Sequence, residues 1–451
     1  MLVKRTAELK LLEKQYDSLQ SNLVILYGRK GIGKTSLLTE FMEGKPSYYY
    51  AGVECENKMQ LERINQQWMG SLSMDGLILD YHHLFLSMLR RQNQKAIIVL
   101  DEFHLIWRNN PEVLEAFIKL FDQNTPFMLL LCSSSTRWVE NEMVGSMGNF
   151  ATFITAYLKL KEFTFVDFVN RFPKSSVENC IYINAILGGV PEYLNEWQES
   201  RSVKNNIIEI FLNKDSRLFT EPWQFLKQEL REPAVYNTIL AALAEGNRKL
   251  NDLHAVTGYS RAKIIVYLKN LIQLDVVEKL VPLGDEGREN AKKGLYRITD
   301  HFLGFWYRFV FPNMSRLLLG QGEEVYREKI EPNLTDYLGE YFADVCTEFL
   351  KLMNQHQRLS GNYLWWDRWY GKNGTIDIIA KEQNGNTLIG KCLWENRNMD
   401  IVDYEKLLSL SKEAGLKEDI CYLFSKTGFS NELKSLVQGM DRVRLVGLED
   451  L

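Results

Sequence analysis

The stretch Leu23–Leu38 limits what this chain can fold into more than any other part of its sequence. It begins with an apolar run up to Tyr27 that predicts a buried strand, and it continues over Ser36–Met42 as a predicted helix. Between them, residues 28–35 read GRKGIGKT and match the pattern G-x-x-x-x-G-K-[ST]. A strand, a glycine loop and a helix in this order are the context in which the pattern indicates a phosphate-binding loop.

The chemistry of a nucleotide assigns a role to the residues of this loop. Its glycines let backbone N–H groups converge on the β-phosphate, and the start of the helix adds a favourable dipole. Lys34 would reach the β- and γ-phosphates, and Thr35 would ligate Mg²⁺ through its hydroxyl. The alternative is a glycine-rich turn that matches the pattern by chance. The predicted nucleotide-binding residues are Gly28, Gly31, Gly33, Lys34, Thr35 and Ser36.

A second nucleotide signature follows the apolar run Ala96–Leu100, which ends directly in Asp101 and Glu102. Downstream of a phosphate loop, we expect Asp101 to hold Mg²⁺ and Glu102 to polarise the attacking water. An acidic pair after a strand is a weak signal alone, because turns favour acidic residues, but the first motif strengthens it. We therefore predict Lys34 and Glu102 as catalytic residues.

Three further apolar runs complete a predicted parallel sheet: Ser47–Gly52, Phe127–Cys132 and Ala151–Leu160. In proteins that combine such a phosphate-binding loop with an Asp-Glu strand, the strand beside the Asp-Glu strand ends in a polar residue that senses the γ-phosphate. Ser133 and Ser134 are the candidates, and we take Ser134 as the catalytic one. The alternative is a serine turn that caps the strand.

From Val235 onward the pattern indicates a winged helix. Helices are predicted over 235–244, 250–257 and 261–274, followed by a strand pair whose polar tip spans residues 284–293. Such a domain reads duplex DNA with its third helix and contacts the backbone with its wing. An equally weighted interpretation is intramolecular docking with solvated lysines. The basic residues in question are Arg261, Lys263, Lys269, Arg288, Lys292, Lys293 and Arg297.

Composition excludes several classes of protein. A net charge of −4 over 451 residues excludes a wholly basic nucleic-acid coat, although a local basic patch remains compatible with it. The six scattered cysteines form no C-x-x-C pair and predict reduced packing residues in a cytoplasmic protein. The start of the chain lacks a signal-peptide pattern, and the most apolar stretch, residues 302–319, is too interrupted to span a membrane.

Over nearly its whole length the chain resembles the archaeal-type P-loop ATPases, which are related to AAA+ and STAND ATPases. The matching segments are LYGRKGIGKTSLL, IIVLDEF, LGGVPEYL and YRITDHFLGFWYRFV. The resemblance implies ATP rather than GTP, and it places Pro191 of LGGVPEYL near the base under a helical lid. Arg5 stands in the register of an element that lies near the adenine in relatives; the alternative for Arg5 is a solvated basic residue before a helix over Thr6–Leu19.

The resemblance also implies a restriction-endonuclease-like α/β domain at the C-terminus, in which we expect no cleavage. The first-helix Glu of active relatives is Ala343 here, and their Gly-Glu-Cys-Lys-Trp has become Gly-Lys-Cys-Leu-Trp at 390–394. Asp377 remains and is predicted to pair with Lys391 instead of holding a metal ion. The alternative is a rearranged site in which Glu340 or Asp344 supplies a carboxylate.

Together these observations predict an α/β protein with four segments. They are a P-loop ATPase core over 1–162, a helical lid over 163–230, a winged helix over 231–312 and an inactive endonuclease-like domain over 313–451. The predicted function is a slow, Mg²⁺-dependent ATP hydrolase that works as a conformational switch, with double-stranded DNA as the candidate partner of its winged helix and a protein as the other candidate partner. The alternatives are a DNA-binding regulator with structural ATP, and a scaffold that binds protein partners without nucleic acid.

Overall fold

The structure of the chain is a computed structural model that describes residues 5–69, 80–107, 110, 112–123, 125–280, 294–383 and 385–451. The chain forms two compact units, Met1–Glu162 and Phe163–Leu451. No helix in these described ranges is both long and apolar enough to cross a lipid bilayer. The six cysteines all lie within the described ranges and are free thiols, as predicted.

A five-stranded parallel sheet forms the centre of the first unit. Its spatial order is β2-β3-β4-β1-β5, and every neighbouring pair is parallel. The sequence therefore predicted the strands and their fold class correctly. The strands are β1 (Asn22–Tyr27), β2 (Ser47–Ala51), β3 (Ala96–Asp101), β4 (Phe127–Ser133) and β5 (Ile154–Lys159).

Both faces of this sheet are covered, because alternate residues of β1, β3 and β4 enter two separate apolar clusters. Such two-sided burial produces the continuous apolar runs seen in the sequence. The main helices on its faces are Thr6–Tyr16, Lys34–Met42, Asn57–Met69, Tyr81–Arg90, Phe103–Trp107 and Glu112–Phe121.

Two predicted boundaries in this unit were wrong by three residues each. The first helix ends at Tyr16 rather than Leu19, and Leu19 lies in the following turn with 92% of its surface exposed. The strand predicted from Ala151 starts only at Ile154, because Gly148–Phe153 forms a tight helical turn.

The second unit begins with helices packed on one continuous apolar cluster. The corner predicted at Gly188 is present: this glycine has φ 65° and ends one helix, and Pro191 starts the next. The helices of this segment are Phe165–Arg171, Val177–Leu187, Pro191–Leu194, Val203–Ile207 and Glu221–Glu229.

Three helices and an antiparallel strand pair follow, in the order predicted from the sequence. The side chain of Ser260 caps the third helix, and Gly258 ends the second in the left-handed conformation. The predicted wing tip, with Arg288, Lys292 and Lys293, lies outside the described residues. The elements are Pro233–Ala244, Leu250–Thr257, Arg261–Gln273, β6 (Val277–Leu280) and β7 (Leu295–Ile298).

The C-terminal part of the second unit contains a mixed sheet with the order β12-β11-β10-β9-β8. The pairs β8–β9 and β9–β10 are antiparallel, and β10–β11 and β11–β12 are parallel. Strand β8 was not predicted from the sequence. The strands are β8 (Tyr363–Tyr370), β9 (Thr375–Glu382), β10 (Thr387–Leu393), β11 (Ile420–Ser425) and β12 (Val443–Val446).

A 22-residue helix, Leu334–Gln355, packs on this mixed sheet. Two further helices of this part are Ile401–Glu413 and Asn431–Val437. Between β7 and the helix Leu334–Gln355, the aromatic segment His301–Val310 is buried apart from Arg308, which is exposed, and His301, which is half-buried. Its Trp306 donates a hydrogen bond to the carbonyl of Phe219 at 2.9 Å, which anchors the segment in the core.

Candidate active site

The predicted site residues of the first unit converge at one edge of the parallel sheet. Tyr27 of β1 lies opposite Ser133 of β4, and Leu100 of β3 lies opposite Leu131 of β4. The carboxyl ends of these three central strands therefore meet. The phosphate loop, the Asp101–Glu102 pair and the serines after β4 all leave the sheet at this edge.

The phosphate loop has the backbone conformation that its glycines allow. Gly33 precedes the helix Lys34–Met42 with φ 94°, in the left-handed region that favours glycine. A Cβ on Gly28 would lie 2.7 Å from the carbonyl oxygen of Leu160, so a side chain is excluded there. Thr35 and Ser36 are exposed at the first turn of the helix.

Lys34 is buried, and its ammonium folds back over the loop. Its Nζ donates to the carbonyl oxygens of Gly28 at 2.7 Å and Arg29 at 3.2 Å. The cation is thereby held on the inner side of the loop, by acceptors that a phosphate oxygen can replace.

Asp101 is buried, and a tyrosine links it to the phosphate loop. The Tyr49 hydroxyl donates to Asp101 Oδ2 at 2.7 Å and also contacts the side chain of Thr35. Burial, followed by this hydrogen bond, raises the pKa of Tyr49. Because the hydroxyl stays neutral, it bridges the two predicted metal ligands without cancelling the charge of Asp101.

Glu102 turns its carboxylate toward the end of β4. Its φ of 48° lies in the left-handed region, which is unusual for a residue with a side chain. Oε2 accepts hydrogen bonds from the Ser134 backbone N–H at 3.1 Å and the Ser134 hydroxyl at 2.6 Å. Ser133 instead has its hydroxyl 3.2 Å from Nδ1 of His104. The structure thus brings Ser134, but not the Ser133 hydroxyl, into direct contact with Glu102.

Arg5 is largely buried and holds the loop in place. Its guanidinium donates to the carbonyl oxygens of Ile32 at 2.8 Å and Lys161 at 2.9 Å, and it contacts Glu8 at 3.2 Å. The alternative of a solvated arginine is therefore wrong. Its placement near a base stays a prediction, as does that of Pro191, which starts a short helix of the second unit.

Sequence reasoning missed Tyr49 and His104. The run SYYYAG was interpreted only as a strand, although Ala51 lies directly opposite Asp101. His104 lies only two positions after Glu102. This short spacing was the signal by which the sequence could have identified it.

A second polar site lies in a cleft of about 420 Å³ in the second unit, beside β9 and β10. Asp377 Oδ2 and Lys391 Nζ are 2.9 Å apart, so the predicted ion pair is confirmed. The carboxylate also accepts from the backbone N–H of Cys392 and the hydroxyl of Thr375. Burial disfavours the ammonium, but the charge of Asp377 outweighs it and raises the pKa of Lys391.

The other carboxylates proposed for a rearranged site also face cations. Glu340 contacts Arg248 at 2.6 Å, and Asp344 contacts Arg297 at 3.0 Å and Arg368 at 2.5 Å. Burial opposes ionisation of Asp344, but the two guanidinium groups outweigh it and lower the pKa to about 2.

Arg297 requires a correction to the winged-helix prediction. It was expected on the wing, facing a DNA backbone, but it is only 8% exposed. Its guanidinium pairs with Glu278 of β6 and with Asp344 of the helix Leu334–Gln355. Arg297 could therefore contact a DNA phosphate only by breaking its ion pairs with both carboxylates.

Two family models match the chain. One, described as an ATPase domain predominantly from Archaea, matches residues 2–197. The other, described as archaeal and bacterial proteins of unknown function, matches residues 306–406.

Similar proteins include two from Methanocaldococcus jannaschii. The uncharacterized protein MJECL04 is 30% identical over 429 residues, which cover 93% of each chain. The uncharacterized ATP-binding protein MJ0423 is 47% identical over 45 residues, or 10% of this chain and 76% of its own. Among solved structures, the Walker-type ATPase PABY2304 of Pyrococcus abyssi is 17% identical with a TM-score of 0.49, covering 68% of this chain and 96% of its own.

Proposed function

We infer the function of this chain from the family to which it belongs, the archaeal-type P-loop ATPases that carry a C-terminal domain of unknown function. Membership gives the chain an ATPase domain that binds nucleotide. We propose, more specifically, that it is a slow, Mg²⁺-dependent ATP hydrolase in which the nucleotide state changes the arrangement of the lid, winged helix and C-terminal domain. Order–disorder or rigid-body change at a γ-phosphate is the usual basis of such switches.

The observation that carries the proposal is the convergence of three kinds of group at one sheet edge. A loop cation, Lys34, is held on the inner side of a phosphate-binding backbone. Asp101, a buried carboxylate, ends β3, and Glu102, the candidate base for the attacking water, comes directly after it. Ser134, at the end of β4, donates a hydrogen bond to Glu102. Phosphoryl transfer requires positioning and charge stabilisation of this kind.

Each side chain has a proposed role in hydrolysis. Lys34 would exchange its carbonyl acceptors for phosphate oxygens, and Glu102 would accept the proton of the attacking water. Ser134 would hold the Glu102 carboxylate until the γ-phosphate arrives. Thr35 and Asp101 offer the oxygen donors that Mg²⁺ prefers, and the ion, when bound, would neutralise charge on the phosphates.

Two lysines of the same loop provide the test. Equilibrium binding of Mg-ATP and release of phosphate should both be lost in Lys34→Ala. Lys30→Ala removes an exposed lysine from the same loop and should behave as the parent does. If Lys34→Ala binds and hydrolyses ATP like the parent, the assigned site is wrong.

Duplex DNA is the partner that we propose for the three-helix and two-strand segment, as a winged helix. Arg261 and Lys269 are exposed on its third helix, although Arg261 also donates to Asn251 at 2.8 Å. Replacing both with Glu should abolish duplex binding. Replacing either one alone should weaken binding and reduce the slope of log K against log salt by about one unit. Lys329→Glu, an exposed lysine outside the segment, is the control. Absence of binding at low salt in the parent, with and without ATP, would favour the protein-scaffold alternative.

For the C-terminal domain we propose a restriction-endonuclease-like fold that does not cleave nucleic acid. The support is that Asp377, Glu340 and Asp344 each contact a cationic side chain. Cleavage by such folds requires carboxylates that hold a divalent metal. Incubation with plasmid and single-stranded DNA, with Mg²⁺ or Mn²⁺, should leave both intact. If the parent protein cleaves either DNA and the Asp377→Ala variant does not, this proposal is wrong.

A further inference from the structure

His104 lies beside the proposed hydrolytic groups but takes no part in the hydrolysis proposed for them. It belongs to the short helix Phe103–Trp107 that follows β3, and its side chain is only 15% exposed. Its ring nitrogen Nδ1 is 3.4 Å from Glu102 Oε2 and 3.2 Å from the hydroxyl oxygen of Ser133. The nitrogen therefore reaches both the carboxylate and the end of β4.

Glu102 Oε2 is the point at which these groups meet. The same oxygen accepts from the backbone N–H and the hydroxyl of Ser134, and the left-handed backbone of Glu102 directs it there. A carboxylate only accepts, so Nδ1 can bond to Glu102 only in the form that carries a proton on this nitrogen. That N–H can donate to the Glu102 carboxylate and share its hydrogen with the hydroxyl oxygen of Ser133, which also accepts from the backbone N–H of Ser135 at 3.2 Å.

We propose that His104 is a positioning residue for ATP hydrolysis: it links the Glu102 carboxylate to Ser133, so that the base and the end of β4 keep one geometry. The inference rests on the proposed function, in which Glu102 receives a proton from water. A base that drifts by about an ångström from its proton loses much of its effect. His104 would thus act through Glu102 and touch no substrate itself.

The ring of His104 also has a packing role that the experiment must separate from the proposed one. Its centroid is 6.0 Å from that of Trp138, a contact that any aromatic ring can replace. His104→Phe keeps a ring and removes the nitrogens. His104→Asn loses the ring but keeps a polar group near the position of Nδ1. If His104 only packs, His104→Asn should have the lower kcat. If His104 positions Glu102, His104→Phe should have the lower kcat.

Steady-state kinetics with ATP should distinguish the two. We expect His104→Phe to lower kcat by about tenfold or more with KM for ATP unchanged, and His104→Asn to remain within about threefold of the parent. Thermal unfolding of each variant checks that the fold is intact. His104→Leu is the second nitrogen-free variant, for use if Phe does not fit the site.

A double-mutant cycle tests the link itself. If His104 acts with Ser133, the effects of His104→Phe and Ser133→Ala on kcat should not add, because each change breaks the same link. Additive effects, equal kcat in His104→Phe and the parent, or a slower His104→Asn would overturn the inference. A parent that hydrolyses no more ATP than Lys34→Ala would overturn the proposed function and the inference with it.

Discussion

The carboxylates at the two polar sites of this chain differ in the groups that hold them. At the edge of the parallel sheet, Asp101 and Glu102 accept hydrogen bonds from the neutral hydroxyls of Tyr49 and Ser134. In the cleft of the second unit, cationic side chains contact the carboxylates instead. These pairs are Glu340–Arg248, Asp344–Arg297, Asp344–Arg368 and Asp377–Lys391.

This difference separates a carboxylate that can act on a ligand from one that is already neutralised. A neutral donor orients the oxygen and leaves its negative charge available for a cation or a proton. A salt-bridged carboxylate must first lose its partner, which is costly when that partner is a buried guanidinium. We therefore expect chemistry at the first site and structural stability from the second.

The largest expected effect is on hydrolysis. Glu102→Gln removes the base but spares Asp101 and Lys34, so ATP should still bind while kcat falls by about 10²- to 10⁴-fold. Asp377→Asn makes the matched change at the other site and should leave kcat unaltered. Phosphate release measures kcat, and equilibrium titration measures ATP binding, in each variant. An equal loss of kcat in Glu102→Gln and Asp377→Asn would contradict the distinction between the two sites.

The second expected effect is on folding. Asp344→Ala leaves the buried guanidinium of Arg297 with Glu278 alone, and it should lower the free energy of unfolding by about 3 kcal/mol. Asp336→Ala removes an exposed carboxylate two turns earlier on the same helix and should change it by less than about 0.5 kcal/mol. Denaturant unfolding of both variants provides the measurement, and similar values for the two would contradict this assignment.

Lowering the pH should reveal how much the Asp344 carboxylate contributes to stability. The pKa of Asp344 is lowered from its ordinary 3.8 to about 2, so its contribution is present above about pH 4 and is lost as the pH falls toward 2. The shift corresponds to about 2 kcal/mol of stability. Unfolding followed between pH 5 and pH 2 should show this loss in the parent, and a smaller one in Asp344→Asn. A parallel fall in both proteins would assign the acid sensitivity to other groups.

Much of the fold could be predicted because its signals are local. β3 and β4 are buried along their whole length, and the sequence shows them as unbroken apolar runs. β8 was missed because Tyr363–Tyr370 reads YLWWDRWY, in which aromatic and charged residues do not alternate regularly. Leu19 was included in the first helix because its spacing continues the helical period, although the helix ends at Tyr16.

The site was predictable where its residues lie in a short motif or, like Ser134, directly after an apolar strand. The loop residues and the Asp101–Glu102 pair are recognised by spacing, whereas Tyr49 acts because β2 happens to neighbour β3. Arg297 appeared as a wing cation because its carboxylate partner, Asp344, lies 47 residues further along the chain. Pairing between distant elements carries no signal in a single sequence.

Restoring the residues of active-looking relatives should make the second site resemble the first. Ala343→Glu, Lys391→Glu and Leu393→Lys together remove the cation beside Asp377 and add two carboxylates to the cleft. If the domain has the proposed endonuclease-like fold, Mn²⁺ should bind at least about tenfold more tightly than in the parent. Calorimetric titration of the folded variant measures this affinity, with Leu393→Lys alone as the control. A folded triple variant with unchanged Mn²⁺ affinity would count against the proposed fold.

The smallest expected effect concerns the neutral hydroxyl that bridges Asp101 and Thr35. Tyr49→Phe removes a group that orients both predicted Mg²⁺ ligands, and we expect the loss of this one outer partner to weaken metal affinity by about tenfold. The Mg²⁺ concentration for half-maximal hydrolysis should rise accordingly, while kcat at saturating Mg²⁺ stays close to that of the parent. Tyr48→Phe is the matched control, since its hydroxyl contacts the carbonyl of Met88 and the side chain of Gln92 instead. If Tyr49→Phe and Tyr48→Phe raise the required Mg²⁺ concentration equally, a general disturbance of β2 explains the result. In that case Tyr49 does not orient Asp101.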